Sequence, residues 1–151
     1  AGEERLRHAG CILADIGWYV HPDYRAHHAM TQILLAPFSG IDHPGRLYLA
    51  RVGYHRHEGR GEPELLGNLS GYLTEREHER ALVLGLALRL AFTLSGATMG
   101  MLPKTRFDIG KNSVTLVVPK KYEPLVGEIV AKRLSALARA LGRKSNIKVG
   151  K

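Results

Sequence analysis

Thr105-Arg106-Phe107-Asp108-Ile109-Gly110-Lys111-Asn112-Ser113-Val114-Thr115-Leu116-Val117-Val118 is the stretch on which the fold turns, because the hydrophobic period changes there. Before Gly96 apolar residues recur every three or four positions, as on helices; from Thr105 they alternate, as on strands. Phe107 and Ile109 share one face of a strand over Thr105–Gly110, and Val114, Leu116 and Val118 share one face of a strand over Ser113–Val118. Gly110-Lys111-Asn112 supplies the turn, so a hairpin is predicted. Pro124 then suits the first turn of a helix, with Leu125, Ile129, Leu134, Leu137 and Leu141 as its apolar stripe and Gly142 as its C-cap. Ile147-Lys148-Val149 reads as a last short strand. Residues 103–151 are therefore expected to form a small ββα module.

Working back from the hairpin, residues 1–102 read as a helical domain. Leu6, Ala9, Leu13 and Ile16 place a helix over about 3–17, with Gly17 to stop it. Pro22-Asp23 marks a new start, and Tyr24–Ala36 is helical up to Pro37. Two prolines and two glycines make residues 37–45 a loop, and Arg46–His57 is a third helix. Glu58–Pro63, with Gly59 and Gly61, reads as a mobile connector, and Glu64–Tyr72 as a short helix. Thr74-Glu75-Arg76-Glu77 has the capping-box form and opens a long helix to about Ser95. Its apolar run, Ala81–Leu94, is broken by Arg89 and too short for a membrane span, so it reads as a core helix.

Charge divides the chain near the same place. Residues 1–103 hold ten Arg, no Lys and eleven Asp/Glu, whereas residues 104–151 hold twelve Lys/Arg against Asp108, Glu123 and Glu128. All eight histidines lie between His8 and His78. A basic C-terminal module facing something anionic is the reading. The one cysteine, Cys11, excludes an internal disulfide and, in the apolar run Cys11-Ile12-Leu13, is expected to be a buried, reduced thiol of a cytoplasmic protein. Ala1-Gly2-Glu3-Glu4 has neither a basic nor an apolar leader region, so a fragment boundary is the expectation at that end.

The stretch Leu13-Ala14-Asp15-Ile16-Gly17, followed by Arg25-Ala26-His27-His28-Ala29 and by Val52-Gly53-Tyr54-His55-Arg56-His57, resembles the core of HD-domain phosphohydrolases. Their His-Asp-Ile-Gly signature helps hold a divalent metal that activates water. Ala14 stands where the signature histidine would be, which leaves Asp15 as the candidate metal ligand. The plainer reading of Asp15, and the one preferred, is a helix-terminal carboxylate held by an Arg or by backbone N–H groups.

Taken in order, His8-Ala9-Gly10-Cys11-Ile12-Leu13-Ala14-Asp15-Ile16-Gly17-Trp18, His21-Pro22-Asp23-Tyr24-Arg25, Gly40-Ile41-Asp42-His43-Pro44-Gly45-Arg46, Tyr54-His55-Arg56-His57-Glu58-Gly59 and Leu102-Pro103-Lys104-Thr105-Arg106 resemble the C-terminal half of the exopolyphosphatase/guanosine-pentaphosphate phosphatase family. The resemblance implies a mainly α fold, an HD-domain-like helical bundle followed by the ββα module. It implies a parent enzyme whose N-terminal actin-like domains, absent from this chain, carry the phosphate loops, the general base and Mg²⁺. This chain would then have no cofactor and no catalytic residue of its own. Inorganic polyphosphate or guanosine pentaphosphate is the implied partner, with a homodimer as the assembly and no membrane. Gly59-Arg60-Gly61 lacks the strand-to-helix setting of a phosphate loop and reads as a link.

The role left to the chain is binding. Polyphosphate is charged along its whole length, so its hydrolase needs cations beyond the catalytic pocket. Arg25, His28, Arg51, His55 and Arg56 form one candidate set, with Arg51 and His55 four apart on one helix face. His55 is the candidate pH-sensitive contact, an ordinary imidazole titrating near ~6.5. Lys120, Lys121, Lys132, Arg133, Arg139, Arg143 and Lys144 form the second, with Lys132, Arg139 and Arg143 on one side of the last helix. Two competing readings remain. A nucleic-acid module would use the same basic end, but Phe107 and Tyr122 are the only aromatics in 104–151 for bases to stack on. A residual metal-dependent HD phosphohydrolase would need a metal at Asp15.

Overall fold

The computed structural model describes residues 2–97 and 100–150. Among the described residues five α-helices, α1 (Gly2–Ile12), α2 (Arg25–Leu35), α3 (His43–Glu58), α4 (Glu75–Ala97) and α5 (Glu128–Ala140), accompany three strands, β1 (Arg106–Ile109), β2 (Ser113–Pro119) and β3 (Lys144–Gly150). The mainly helical class with a small C-terminal sheet is as the sequence predicts. The chain forms two compact units, one up to Leu88 and one from Arg89, so the division falls inside α4, ahead of the change in composition at Pro103.

Unit 1 is built round α3. Ten of its residues from Gly45 to His55 are buried, so the helix has no solvent face over that length. Asp42 caps it, its Oδ1 accepting from the Gly45 N–H at 2.8 Å, and Pro44 occupies the first turn. The helix therefore starts three residues earlier than the loop-like composition of 37–45 implies. Met30 and Ile33 of α2, Leu49 and Val52 of α3, Leu66, and Ala81 of α4 form the core. Small residues make this packing possible: a Cβ on Gly53 would lie 2.9 Å from Ile33 Cδ1, and one on Gly85 only 2.5 Å from the Cβ of His55.

Several local expectations change. The first helix ends at Ile12 and continues as a 3-10 turn, Leu13–Asp15. Gly17 follows at φ +87°, with the Arg25 carbonyl 3.2 Å from where a Cβ would be. Glu64–Tyr72 is a 3-10 stretch, which Gly67 and Gly71 keep from settling into an α-helix. Cys11 is exposed, because its neighbour Gly10 is the residue that α1 turns inward. The connector is packed: the Gly59 N–H donates to the His55 carbonyl at 3.0 Å, and Pro63 is buried. The capping box is present, with Glu77 Oε2 accepting from the Thr74 N–H and hydroxyl, both at 2.7 Å.

In unit 2, β1 pairs antiparallel with β2 and β2 parallel with β3, in the order β1-β2-β3. Phe107 lies opposite Leu116, and Leu116 opposite Ile147, so these share one sheet face. Val114, Leu116 and Val118 are buried, whereas Phe107 and Ile109 on the edge strand are exposed. α5 begins at Glu128 after Gly127, and Pro124 lies inside a separate 3-10 turn, Lys120–Leu125. The stripe α5 buries is Val130, Leu134, Leu137 and Ala138, and Ile129 points outward. Gly142 (φ +65°) closes α5 with a Schellman motif: its N–H donates to the Arg139 carbonyl and that of Arg143 to the Ala138 carbonyl.

Candidate functional site

Of the Arg/His set of unit 1, Arg51 and His55 are buried, whereas Arg25, His28 and Arg56 are half-buried. His55 is fully buried at the last turn of α3, and its Nδ1–H donates to the Gly59 carbonyl at 2.8 Å. That bond fixes the tautomer and leaves Nε2 as a buried acceptor with no partner. Burial, then the nearby Arg51 and His78, hold the imidazole down at about 4, against the Gly59 bond and Glu62, which raise it. His55 is thus neutral near pH 7 and out of reach of solvent, since α3 is surrounded on every side at this level. Arg51, 5 % exposed, donates to Glu62 Oε2 at 2.9 Å. Arg25 donates to the Val20 carbonyl at 2.7 Å, and His28 Nε2 shares a 2.8 Å bond with the Tyr19 hydroxyl. Each of these four side chains has a partner inside the unit.

Arg56, the fifth, organises the phosphohydrolase-like motif. Its Nη2 lies 4.0 Å from Asp15 Oδ1, and its Nη1 lies 3.3 Å from His57 Nδ1. The other nitrogen of that ring, Nε2, donates to the Ile16 carbonyl at 2.9 Å. Asp15 is thus a carboxylate beside an Arg, His57 has both ring nitrogens engaged, and Ala14 offers no donor atom. These residues do not fit a metal. Among the described residues no three His, Cys, Asp or Glu side chains gather as ligands.

The second set lies at the surface of unit 2. From Arg89 onward the chain has thirteen Lys/Arg and three Asp/Glu. Among the described residues the one ion pair there is Arg106 with Asp108, at 3.1 Å. Lys120, Lys121, Lys132, Arg139 and Lys144 are exposed, and Arg143 is half-buried. Arg133 is partly withdrawn: it donates to the Arg89 carbonyl at 3.4 Å, and burial lowers its pKa. Lys132 and Arg139, seven residues apart, lie about 10 Å apart along one side of α5.

The structure adds Lys104 to this set. Its Nζ donates to the Tyr122 hydroxyl at 3.4 Å and lies 5.8 Å from the ring centroid. Lys121 Nζ lies 5.8 Å from the same centroid. Two ammonium groups therefore share one largely buried ring, and no carboxylate lies within 4.0 Å of either among the described residues. Sheet register explains the convergence. β1 starts where β2 ends, with Arg106 opposite Val117 and Val117 opposite Lys148. Lys104, Arg106, Lys120, Lys121 and Lys148 thereby collect at one end of the sheet. The signal was in the sequence, since a hairpin turning at 110–112 brings position 104 beside position 119.

A helical unit whose Arg51 and His55 are buried and a basic ββαβ unit whose lysines lie largely at the surface make up the described fold. Residues 1–148 match the family model described as exopolyphosphatase, C-terminal, and the chain belongs to that family. No curated protein matches it. No described helix is long and apolar enough to cross a membrane.

Proposed function

We propose that this chain is the polyanion-holding part of an exopolyphosphatase that removes terminal phosphate from inorganic polyphosphate or guanosine pentaphosphate. Catalysis and Mg²⁺ belong to actin-like domains outside this chain, and this domain, of HD type, contributes binding and homodimer formation to a cytoplasmic enzyme. The observation that carries the reading is the convergence of Lys104 and Lys121 on Tyr122 with no carboxylate in reach. Two ammonium groups gathered at one ring without a carboxylate present positive charge that an anion from outside would meet. Lys120, Lys132, Arg139, Arg143 and Lys144 extend the track, so a chain of phosphates meets cations beyond a single pocket. Arg51 and His55, both buried, act as internal framework, and the half-buried Arg25, His28 and Arg56 are lesser contacts.

Binding of long-chain polyphosphate to the pure chain tests this. Affinity should fall steeply with salt, because each phosphate contact releases counterions. Replacing Lys104, Lys120 and Lys121 together by Gln should weaken binding at least about tenfold and flatten the salt slope. Unchanged affinity in that variant would remove the site, and metal-dependent phosphate release by the pure chain would overturn the non-catalytic role. DNA binding as tightly as polyphosphate at equal salt would reduce the reading to general electrostatics.

A further inference from the structure

Unit 1 contains a cleft of about 280 Å³ lined by Leu34, His43, Arg46, Leu47, Leu69 and Tyr72. Its apolar wall comes from α2, α3 and the 3-10 stretch Glu64–Tyr72. Arg46 sets it apart from an ordinary surface groove. Arg51, Arg56 and Arg80 each lie beside a carboxylate, that of Glu62, Asp15 and Glu3 respectively. Arg46 is half-buried, and among the described residues the one hydrogen bond of its side chain is a long one, 3.5 Å to the Leu34 carbonyl. Its Nε is shut off from solvent with no acceptor. The carboxylate one helical turn away, Asp42, caps α3 through Oδ1 at the Gly45 N–H and, among the described residues, forms no ion pair with Arg46. A guanidinium partly out of water and without a counter-charge is costly, and an external anion relieves that cost. His43, in the first turn of α3, adds a second polar group and the positive end of a 16-residue helix on the same side. Leu69 (41 % exposed) and Tyr72 (67 %) form an apolar lip open to solvent.

We infer that this cleft binds a small amphipathic anion, a single carboxylate or phosphate joined to a flat apolar body. The acid sits on Arg46 and His43, and the body lies between Leu34, Leu47, Leu69 and Tyr72. The volume favours a small ligand: pockets for drug-sized molecules run roughly 300–1,000 Å³, and this cleft, at about 280 Å³, lies at the small end of that range. The site is separate from the cations of unit 2 in sequence, in unit and in ligand chemistry, and it does not depend on the polyanion reading.

Leucine-methyl NMR on the pure chain, titrated with phenyl phosphate and with phenylacetate, tests the inference and separates the two head groups. At least one of them should shift the methyls of Leu34, Leu47 and Leu69 saturably, with a Kd of about 1 mM, as suits a ligand of about ten heavy atoms. Arg46→Gln should weaken that binding at least tenfold. Tyr72→Ala, at an exposed position that leaves the fold intact, should weaken it at least threefold. Inorganic phosphate acting equally on these methyls would show that the apolar body contributes nothing, and benzyl alcohol acting equally would show the same of the charge. Either result overturns the site, as does the absence of any shift at about 10 mM of both acids, tenfold above that Kd.

Discussion

Replacing Gly85 by Ala probes the tightest contact in unit 1. A Cβ at this position of α4 would stand 2.5 Å from His55 Cβ, 2.9 Å from the Val52 carbonyl oxygen and 3.1 Å from the Arg56 nitrogen. Two of those atoms are backbone and the third is bonded directly to it, so no side-chain rotation makes room. The helices must separate. Overpacking of this kind costs about 1–3 kcal/mol, and rigid neighbours put Gly85 at the upper end. Alanine recovers about 1 kcal/mol through its higher helix propensity. The net is a loss of about 2 kcal/mol, which for a chain of this size lowers the melting midpoint by about 4–8 °C. Thermal unfolding followed by circular dichroism measures it. Gly96→Ala, in the same helix with nothing within 4 Å of the new Cβ, is the control and should gain about 0.5–1 kcal/mol. A Gly85→Ala protein melting at or above the parent would refute the close approach of α3 and α4 at this level.

Other consequences concern charge and capping. His55, held at about 4 when folded, takes up a proton near ~6.5 when unfolded, so its contribution is complete above that value and is lost as pH falls towards 4. About 3 kcal/mol should disappear between pH 6.5 and 4 in denaturant titrations, and a flat profile there would contradict the burial. Glu62→Gln leaves Arg51, 5 % exposed, without its counter-charge. Because Glu62 is itself mostly exposed, a loss of about 1–2 kcal/mol is expected, whereas Arg51→Met should be close to neutral by the same measurement. Thr74→Ala removes the hydroxyl of the capping box and should cost about 0.5–2 kcal/mol in chemical denaturation; no change would mean that the first turn of α4 is held by other contacts.

The elements that could be read from sequence are those in which local chemistry decides the outcome. The capping box at Thr74 and the hairpin turning at 110–112 depend on neighbours within a few residues, and both form as expected. α3 resisted for the opposite reason. Placing Arg51 and His55 on an outer face assumes that a helix has one, and at this level α3 has none. The clue lay in Gly53 and Gly85, glycines that weaken a helix unless another element presses against them.

Charge stoichiometry explains why one candidate set could bury an arginine and the other did not. Up to Leu88 there are nine Arg for eleven Asp/Glu, so an arginine can be buried wherever a carboxylate lies beside it, as Glu62 lies beside Arg51. From Arg89 onward thirteen cations share three acids, so most of them can have no carboxylate of their own unit to offset desolvation. Those side chains must therefore stay in water or meet an anion from outside. The count alone placed Lys120, Lys121 and Lys132 at the surface, but only the sheet register could add Lys104 to Lys121 at Tyr122.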